Sequence, residues 1–327
     1  FVGETITKLF YMTYKETIRL GAAACLMFCA TTAVQAQTTK GGGIDSKMLE
    51  KIEQVGTPAG SSHAIENAIA QNSIDDLAKN FKNAGPVDKY FSIETPSQSI
   101  HDQKSSGRCW LFSGLNVLRA NFAREHKDTM RVEYSQAYVF FYDQLEKANL
   151  FLQGVIDCAN KPMDDERVMF FFKNPINDGG TFCGVADLGE KYGLVPMEVM
   201  PETYSADNTS RMARLVSSKL REYGLELRKM VAQKASAAKL KERKTAMLGT
   251  IYHILALTIG EPVKLFQYAF KDKNGKQIGK PKTYTPKEFY NATVGHPLNG
   301  TFIMAMNDPR REYYKTYEGE YDRHTYD

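Results

Sequence analysis

From Trp110 to His126 the apolar residues Leu111, Leu115, Leu118 and Phe122 recur at spacings of four, three and four, which lays one apolar stripe along a helix. The stripe begins immediately after Cys109, so that cysteine is expected at or just before a helix N-terminus. The stretch "EYSQAYVFFYDQLEKANLFLQGVIDCAN" predicts a second helix with Ser135 as its N-cap, and its dense aromatics mark it as buried. "NDGGTFCGVADLGEKYG" predicts a third, stopped by Gly193 at the C′ position with Pro196 following. Upstream, residues 44–81 read as short amphipathic helices split by the turn "GTPAGSS", and "KYFSIETPSQSI" alternates like a strand that delivers the chain to Cys109. Downstream, "VKLFQYAFKDKNGKQIGKPKTYTP" alternates on both sides of Asn274-Gly275, a hairpin pattern. No internal repeat or low-complexity tract interrupts this order.

The chain has 327 residues, 43% of them hydrophobic and 24% charged, which is ordinary globular material and excludes a fibrous or disordered protein. A formal net charge of +4 is small for that length, so bulk charge implies neither nucleic acid nor a membrane surface as partner. One segment departs from this: Arg211 to Lys244 holds eleven Lys or Arg against three Glu, among strong helix formers. It reads as a basic helical insertion at about 205–250, either a solvated helical face or a surface for nucleic acid or another partner.

Near the start, an apolar run from Leu20 to Val34 follows Lys15 and Arg19 and ends in Val34-Gln35-Ala36, small residues where a signal peptidase reads. Residues 12–36 are therefore expected to be a secretory signal peptide, with 1–11 upstream of it. Residues 37–81 would follow as a leader segment, and the protein would be secreted or periplasmic. The apolar run is shorter than the roughly 20 residues a bilayer requires, so no membrane span is expected in the mature chain. Five cysteines without CxxC or Cys/His spacing indicate neither a zinc site nor a disulfide framework, and no cofactor is implied.

The chemistry points to "QKSSGRCWLF", residues 103–112. A thiol attacks as its thiolate, and a helix N-terminus stabilises that anion through unpaired backbone N–H groups. Acyl transfer also requires donors for the oxyanion, which a glutamine amide and a cysteine backbone N–H can supply. Gln103 is near enough to curl back over the Ser-Ser-Gly turn, and Trp110, the only tryptophan, would wall the site. The segment resembles the active-site sequence of papain-like cysteine peptidases in the form carried by the bleomycin hydrolase and aminopeptidase C family. "YSQAYVFFYDQLEKAN", "NDGGTFCGVADLGEKYGLVPMEVMPETY" and "MNDPRREYYKTYEGEY" are similar to family segments in the same order, so the likeness covers roughly residues 75–325.

The resemblance implies an α+β papain-like fold, with 82–327 as an incomplete peptidase domain: the helical half, with most of the β-barrel half missing. It further implies Cys109 as nucleophile, Gln103 as oxyanion-hole donor, and Trp110, Gly179 and Gly180 at the substrate, the glycine pair lining the cleft for an extended peptide. The pair alternatively forms only a tight helix-entry turn. Peptides would be the substrates, losing N-terminal residues, and the full-length form would assemble as a homo-hexamer. The family's histidine and its Asn-Ser-Trp have no counterpart here, since Trp110 is the only tryptophan and none of the six histidines matches the family's histidine segment. The chain ends inside what resembles the middle of the family sequence, so a C-terminally truncated peptidase, inactive for want of a general base, is expected. The rival reading is a non-catalytic secreted binding protein that uses 211–244 to hold nucleic acid or a polyanion.

Expression of the gene in a secreting bacterial host should yield an exported protein that begins at Gln37, and N-terminal sequencing that finds Met12 retained on the exported form contradicts the signal-peptide reading.

Overall fold

The computed structural model describes residues 43–317 apart from 57–59, 61–62, 84, 86–87, 96–98, 299–304 and 306. The signal peptide expected at 12–36 lies outside the described residues, as do Cys25, Cys29 and His324. Two compact units divide the chain, one up to Lys89 and one from Tyr90 onward.

The first unit carries helices α1 (Ser46–Gly56), α2 (His63–Gln71) and α3 (Ile74–Leu77), followed by a 3-10 turn at Phe81–Asn83. Asp45 Oδ1 accepts the Met48 N–H at 2.8 Å and so caps α1; α1 ends at Gly56 and α2 starts at His63, and most of the turn expected between them lies outside the described residues. None of the three helices buries a residue. The strand expected over 89–100 is not present among the described residues of that stretch. Ile93 and Ile100 face solvent, and an alternating pattern without a neighbouring strand leaves its backbone groups to water instead of a ladder.

The second unit is built around α5 (Gln136–Asp157). It packs against α4 (Cys109–Glu125), α6 (Glu166–Lys173), α7 (Phe182–Tyr192), α9 (Ser210–Ala232) and α10 (Ala237–Ile259), with the short α8 (Tyr204–Asp207) lying on α10. The predicted stripe of α4 is buried at all four positions, each side chain contributing about 1.5–3 kcal/mol. Ser135 accepts the Tyr138 N–H at 3.0 Å as the N-cap of α5. Gly193 ends α7 with φ +84 and lies against the backbone of Pro286, the first residue of α11 (Pro286–Thr293).

The basic run forms α9 and the first third of α10; six of its eleven basic residues are exposed and five are half-buried, several of these bonded to neighbouring elements. Arg221 Nε donates to the Phe172 carbonyl at 2.8 Å, Arg228 to Cys158 O at 3.1 Å, and Lys244 Nζ to Gln153 Oε1 at 2.8 Å, while Arg243 pairs with Glu226. Between those bonds, Leu220, Leu227, Met247 and Ile251 enter the same core as α5. The strands among the described residues form two antiparallel pairs, β1 (Met130–Arg131) with β3 (Lys271–Asp272) and β2 (Phe266–Tyr268) with β4 (Lys282–Tyr284), and isolated bridges join Ser105 to Asn208, Tyr134 to Pro196 and Lys271 to Gln277. The hairpin turns at Asn274-Gly275 as expected. Asp272 Oδ1 accepts the N–H groups of Asn274 and Lys276, and Gly275 takes φ +81. Among the described residues no helix is long and apolar enough to cross a membrane.

One charged side chain sits where the site joins this core. Arg108, the residue before α4, has no solvent exposure. Its Nη1 donates to Glu202 Oε2 at 2.8 Å, its Nε to Ser106 Oγ at 3.0 Å, and its guanidinium carbon lies 5.1 Å from the ring centres of both Phe112 and Phe140. Burial pushes the Glu202 carboxyl above its ordinary range, against the opposing pull of Arg108. Removing the cation would leave that carboxylate half-buried and unpaired, so Arg108→Ala should lose about 3–5 kcal/mol in urea unfolding, and a loss below about 1 kcal/mol contradicts this assignment.

Candidate active site

Cys109 opens α4 as its first residue, and it is exposed while Arg108 before it and Trp110 after it are buried. The turn leading to it is closed by two reciprocal bonds. Gln103 Nε2 donates to Ser106 O at 2.5 Å, and Ser106 Oγ donates to Gln103 O at 2.6 Å. Lys104, inside that turn, takes a left-handed φ of +54, supported by its N–H donating to Asp102 Oδ1 at 2.8 Å. Gln103 thus curls back as its spacing suggests, and one of its two amide hydrogens is used to close the turn.

Opposite this turn runs the loop 177–180, fastened to α5. Lys147 Nζ donates to Asn177 O at 3.0 Å and to Gly179 O at 2.6 Å, and pairs with Asp143 at 2.9 Å; Gln144 Nε2 donates to Asn177 O at 2.9 Å. Gly179 N–H donates to Asn177 Oδ1 at 3.0 Å. Gly180 lies on the Trp110 ring so closely that a Cβ there would stand 2.7 Å from two ring atoms. Trp110 is only 7% exposed, and its indole N–H donates to Asp178 O at 2.9 Å. The wall expected of Trp110 is therefore a buried floor, which carries Gly180 at the surface. Four of the five predicted residues, Gln103, Cys109, Trp110 and Gly180, fall in this one junction, and Gly179 adjoins it.

The Asp178 carboxylate accepts the Gly107 N–H and the Thr209 hydroxyl, each at 2.6 Å, through the same oxygen. Burial pushes this carboxyl up, but the hydrogen bonds from Thr209 and Gly107 and the nearby Lys147 charge outweigh it and hold the group below its usual range. A depressed folded-state value means that the stabilisation is present above the ordinary carboxylate range and is lost only as pH falls through the lowered value. Asp178, Lys147, Arg108 and Glu202 escaped the sequence reading. The available signal was an acidic residue directly before a glycine pair, in "NDGG".

The other thiols differ. Cys158 is buried at the end of α5, where desolvation pushes its thiol up, and Cys183 is half-buried in the first turn of α7. Among the described histidines, His63 belongs to the first unit, and His126 ends α4, about 25 Å along the helix from Cys109 at 1.5 Å per residue. His253 and His296 are exposed on and beyond other helices. His101 Nε2 lies 3.0 Å from Glu133 Oε2 and its Nδ1 3.3 Å from Gln136 Nε2; burial, against the pull of Glu133, lowers its pKa. A separate cavity of about 810 Å³ is lined by Arg119, Glu133, Glu202 and Tyr268 among others, and by none of the five predicted residues.

A family model described as the Peptidase C1-like family matches residues 43–325. Aminopeptidase G of Lactobacillus delbrueckii subsp. lactis is 37% identical over 256 residues, which cover 78% of this chain and 58% of that protein. Bleomycin hydrolase of Homo sapiens is 36% identical over 237 residues, covering 70% of this chain and 51% of its own length. The crystal structure of PepW from Lactobacillus rhamnosis HN001 superposes with a TM-score of 0.70 at 36% identity, over 79% of this chain and 57% of that one. The chain spans a little over half the length of these relatives. The helix-rich body with its few strands has the papain-like architecture of that neighbour. With residues 43–325 matched by the family model and 36–37% identity to aminopeptidase G and bleomycin hydrolase over the aligned residues, the chain belongs to the Peptidase C1-like family.

Proposed function

We propose that this protein is a cysteine peptidase of the aminopeptidase type, acting on peptides, with Cys109 as nucleophile and Gln103 as a donor to the oxyanion. The observation that carries this reading is the exposed Cys109 thiol on the first residue of a helix, between a buried cation and a buried tryptophan, beyond a turn closed by Gln103. The thiolate would attack the carbonyl carbon of the first peptide bond. A C–S bond forms, and the negative charge on oxygen is met by the second Gln103 amide hydrogen and the Cys109 N–H. As the C–N bond breaks, the leaving amine must take a proton from a general acid other than these residues, and water then hydrolyses the thioester, releasing the acid and restoring the Cys109 thiol. Gly179 and Gly180 would pair by backbone with an extended peptide, Gly180 being held to the rim by Trp110.

Proton transfer to the leaving amine is the step that these residues do not supply. Among the described histidines of the second unit, His126 is at the far end of α4, His253 and His296 lie on and beyond other helices, and His101, two positions before Gln103, is engaged by Glu133 and Gln136, so we infer that residues 1–327 acylate but turn over amides only at a trace rate. The homo-hexamer and the secreted or periplasmic location implied by the resemblance and by 12–36 are carried in the same proposal. The alternative use of 211–244 for a polyanion would fall to the exposed Arg211, Arg214, Lys229, Lys234, Lys239 and Lys241, since Arg221, Arg228 and Lys244 bond within the protein and Arg243 pairs with Glu226.

An activated aminoacyl p-nitrophenyl ester separates these two claims, because its leaving group departs without a proton. A stoichiometric burst of nitrophenol is expected, absent in Cys109→Ala and slowed about 10²–10³-fold in Gln103→Ala. Aminoacyl-coumarin amides should react at least about 10³-fold more slowly than with a complete Cys–His pair. A burst that persists in Cys109→Ala contradicts the nucleophile, and fast amide turnover contradicts the missing base.

A further inference from the structure

Gly107, two residues before Cys109, and Trp110, one residue after it, are both tied to Asp178. The carboxylate takes the Gly107 N–H at 2.6 Å and the main-chain carbonyl takes the indole N–H at 2.9 Å, so one residue brackets the nucleophile. Its own position is set independently of the turn. Lys147 and Gln144 of α5 grip the carbonyls of Asn177 and Gly179 on either side of it, and the hydroxyl of Thr209, at the start of α9, donates to the same carboxylate oxygen as Gly107. The approach is close enough that a Cβ on Gly107 would lie 2.4 Å from Asp178 Oδ1, so the tether requires glycine there.

We propose that Asp178 is a positioning residue for the nucleophile, a carboxylate that transmits the rigid placement of α5 to the first turn of α4 and holds the Cys109 thiol over the leading N–H groups of that helix. Its catalytic consequence rests on the peptidase reading above, whereas the tether itself is read without a substrate. When the tether is lost, the 103–108 turn keeps the bridge between Ser105 and Asn208 and the Arg108–Glu202 pair, but Gly107, next to the first turn of α4, loses the bond that holds it to loop 177–180, and that turn loosens. The N–H groups then no longer face the sulfur.

The test compares iodoacetamide alkylation of Cys109 and Cys183 at pH 7, followed by peptide mass spectrometry on the 327-residue protein. Asp178→Ala should slow Cys109 about tenfold or more and leave Cys183 within about twofold, and Asp178→Asn, which keeps an acceptor oxygen, should recover Cys109 to within about threefold of the parent. An unchanged or faster Cys109 rate in Asp178→Ala, equal slowing at both thiols, or no recovery in Asp178→Asn overturns the proposal. If Asp178→Ala lacks the native circular dichroism spectrum, Thr209→Val removes one partner of the carboxylate and should slow Cys109 about threefold, and no change there overturns it. Failure of Cys109-dependent acyl transfer would remove the peptidase reading and leave the alkylation comparison standing, so the two outcomes are distinguishable.

Discussion

A guanidinium closed off from solvent one residue before an exposed thiol is the constraint from which the rest of the site follows. Burying a charge costs several kcal/mol unless it is paired, and Arg108 meets that cost only where Glu202, Ser106 and the rings of Phe112 and Phe140 converge. Glu202 lies 94 positions away, in the segment between α7 and α8, so the pair forms only when the helices around α5 have assembled. The start of α4, and with it Cys109, is thereby registered against the whole helical body instead of against its own turn. Registry of this kind is the best-attested use of a buried ion pair, since its net contribution to stability is small.

The opposite side of Cys109 is held by polar bonds in a different style. Lys147, nearly buried, donates to two main-chain carbonyls of the 177–180 loop and stands 5.7 Å from the centre of the Trp110 ring. Charge-assisted bonds of this type are shorter and stronger than neutral ones, which suits a loop with two glycines and little side-chain packing. The result is an exposed thiol and an exposed glycine backbone on a floor that is buried and hydrogen-bonded. An acyl-transfer site needs that combination: access for the substrate carbonyl and little reorganisation of the groups that meet it. Cys158 has the opposite surroundings, buried against the end of α5 with its thiol pushed up by desolvation.

Periodicity made the helices legible, because Leu111, Leu115, Leu118 and Phe122 must share a face whatever they pack against, and Ser135 and Gly193 act within one turn of themselves. The place of Cys109 at a helix start was legible for the same reason, since it is local. What could not be read were partners set by the fold. Asp178 and Gly107 are 71 positions apart, and nothing in either segment announces the other. The alternation at 89–100 misled because a strand is defined by its neighbour, and the described residues there have none. The basic run was ambiguous for a related reason. Arg221 and Arg228 look like surface charge in sequence, but each finds a main-chain carbonyl at the end of another element, Phe172 in α6 and Cys158 after α5.

The central claim is that the junction of α4 with loop 177–180 makes Cys109, of the described thiols, the one that receives a peptide carbonyl. An aminoacyl chloromethyl ketone tests it directly, because it carries the substrate's shape and leaves a permanent mark on the thiol that accepts it. After partial labelling of the 327-residue protein at neutral pH, peptide mapping should find the adduct on Cys109, with Cys158 and Cys183 unmodified and the labelling slowed by a competing peptide. An adduct distributed over Cys109 and Cys183, or one on Cys109 that excess peptide does not slow, would contradict the account.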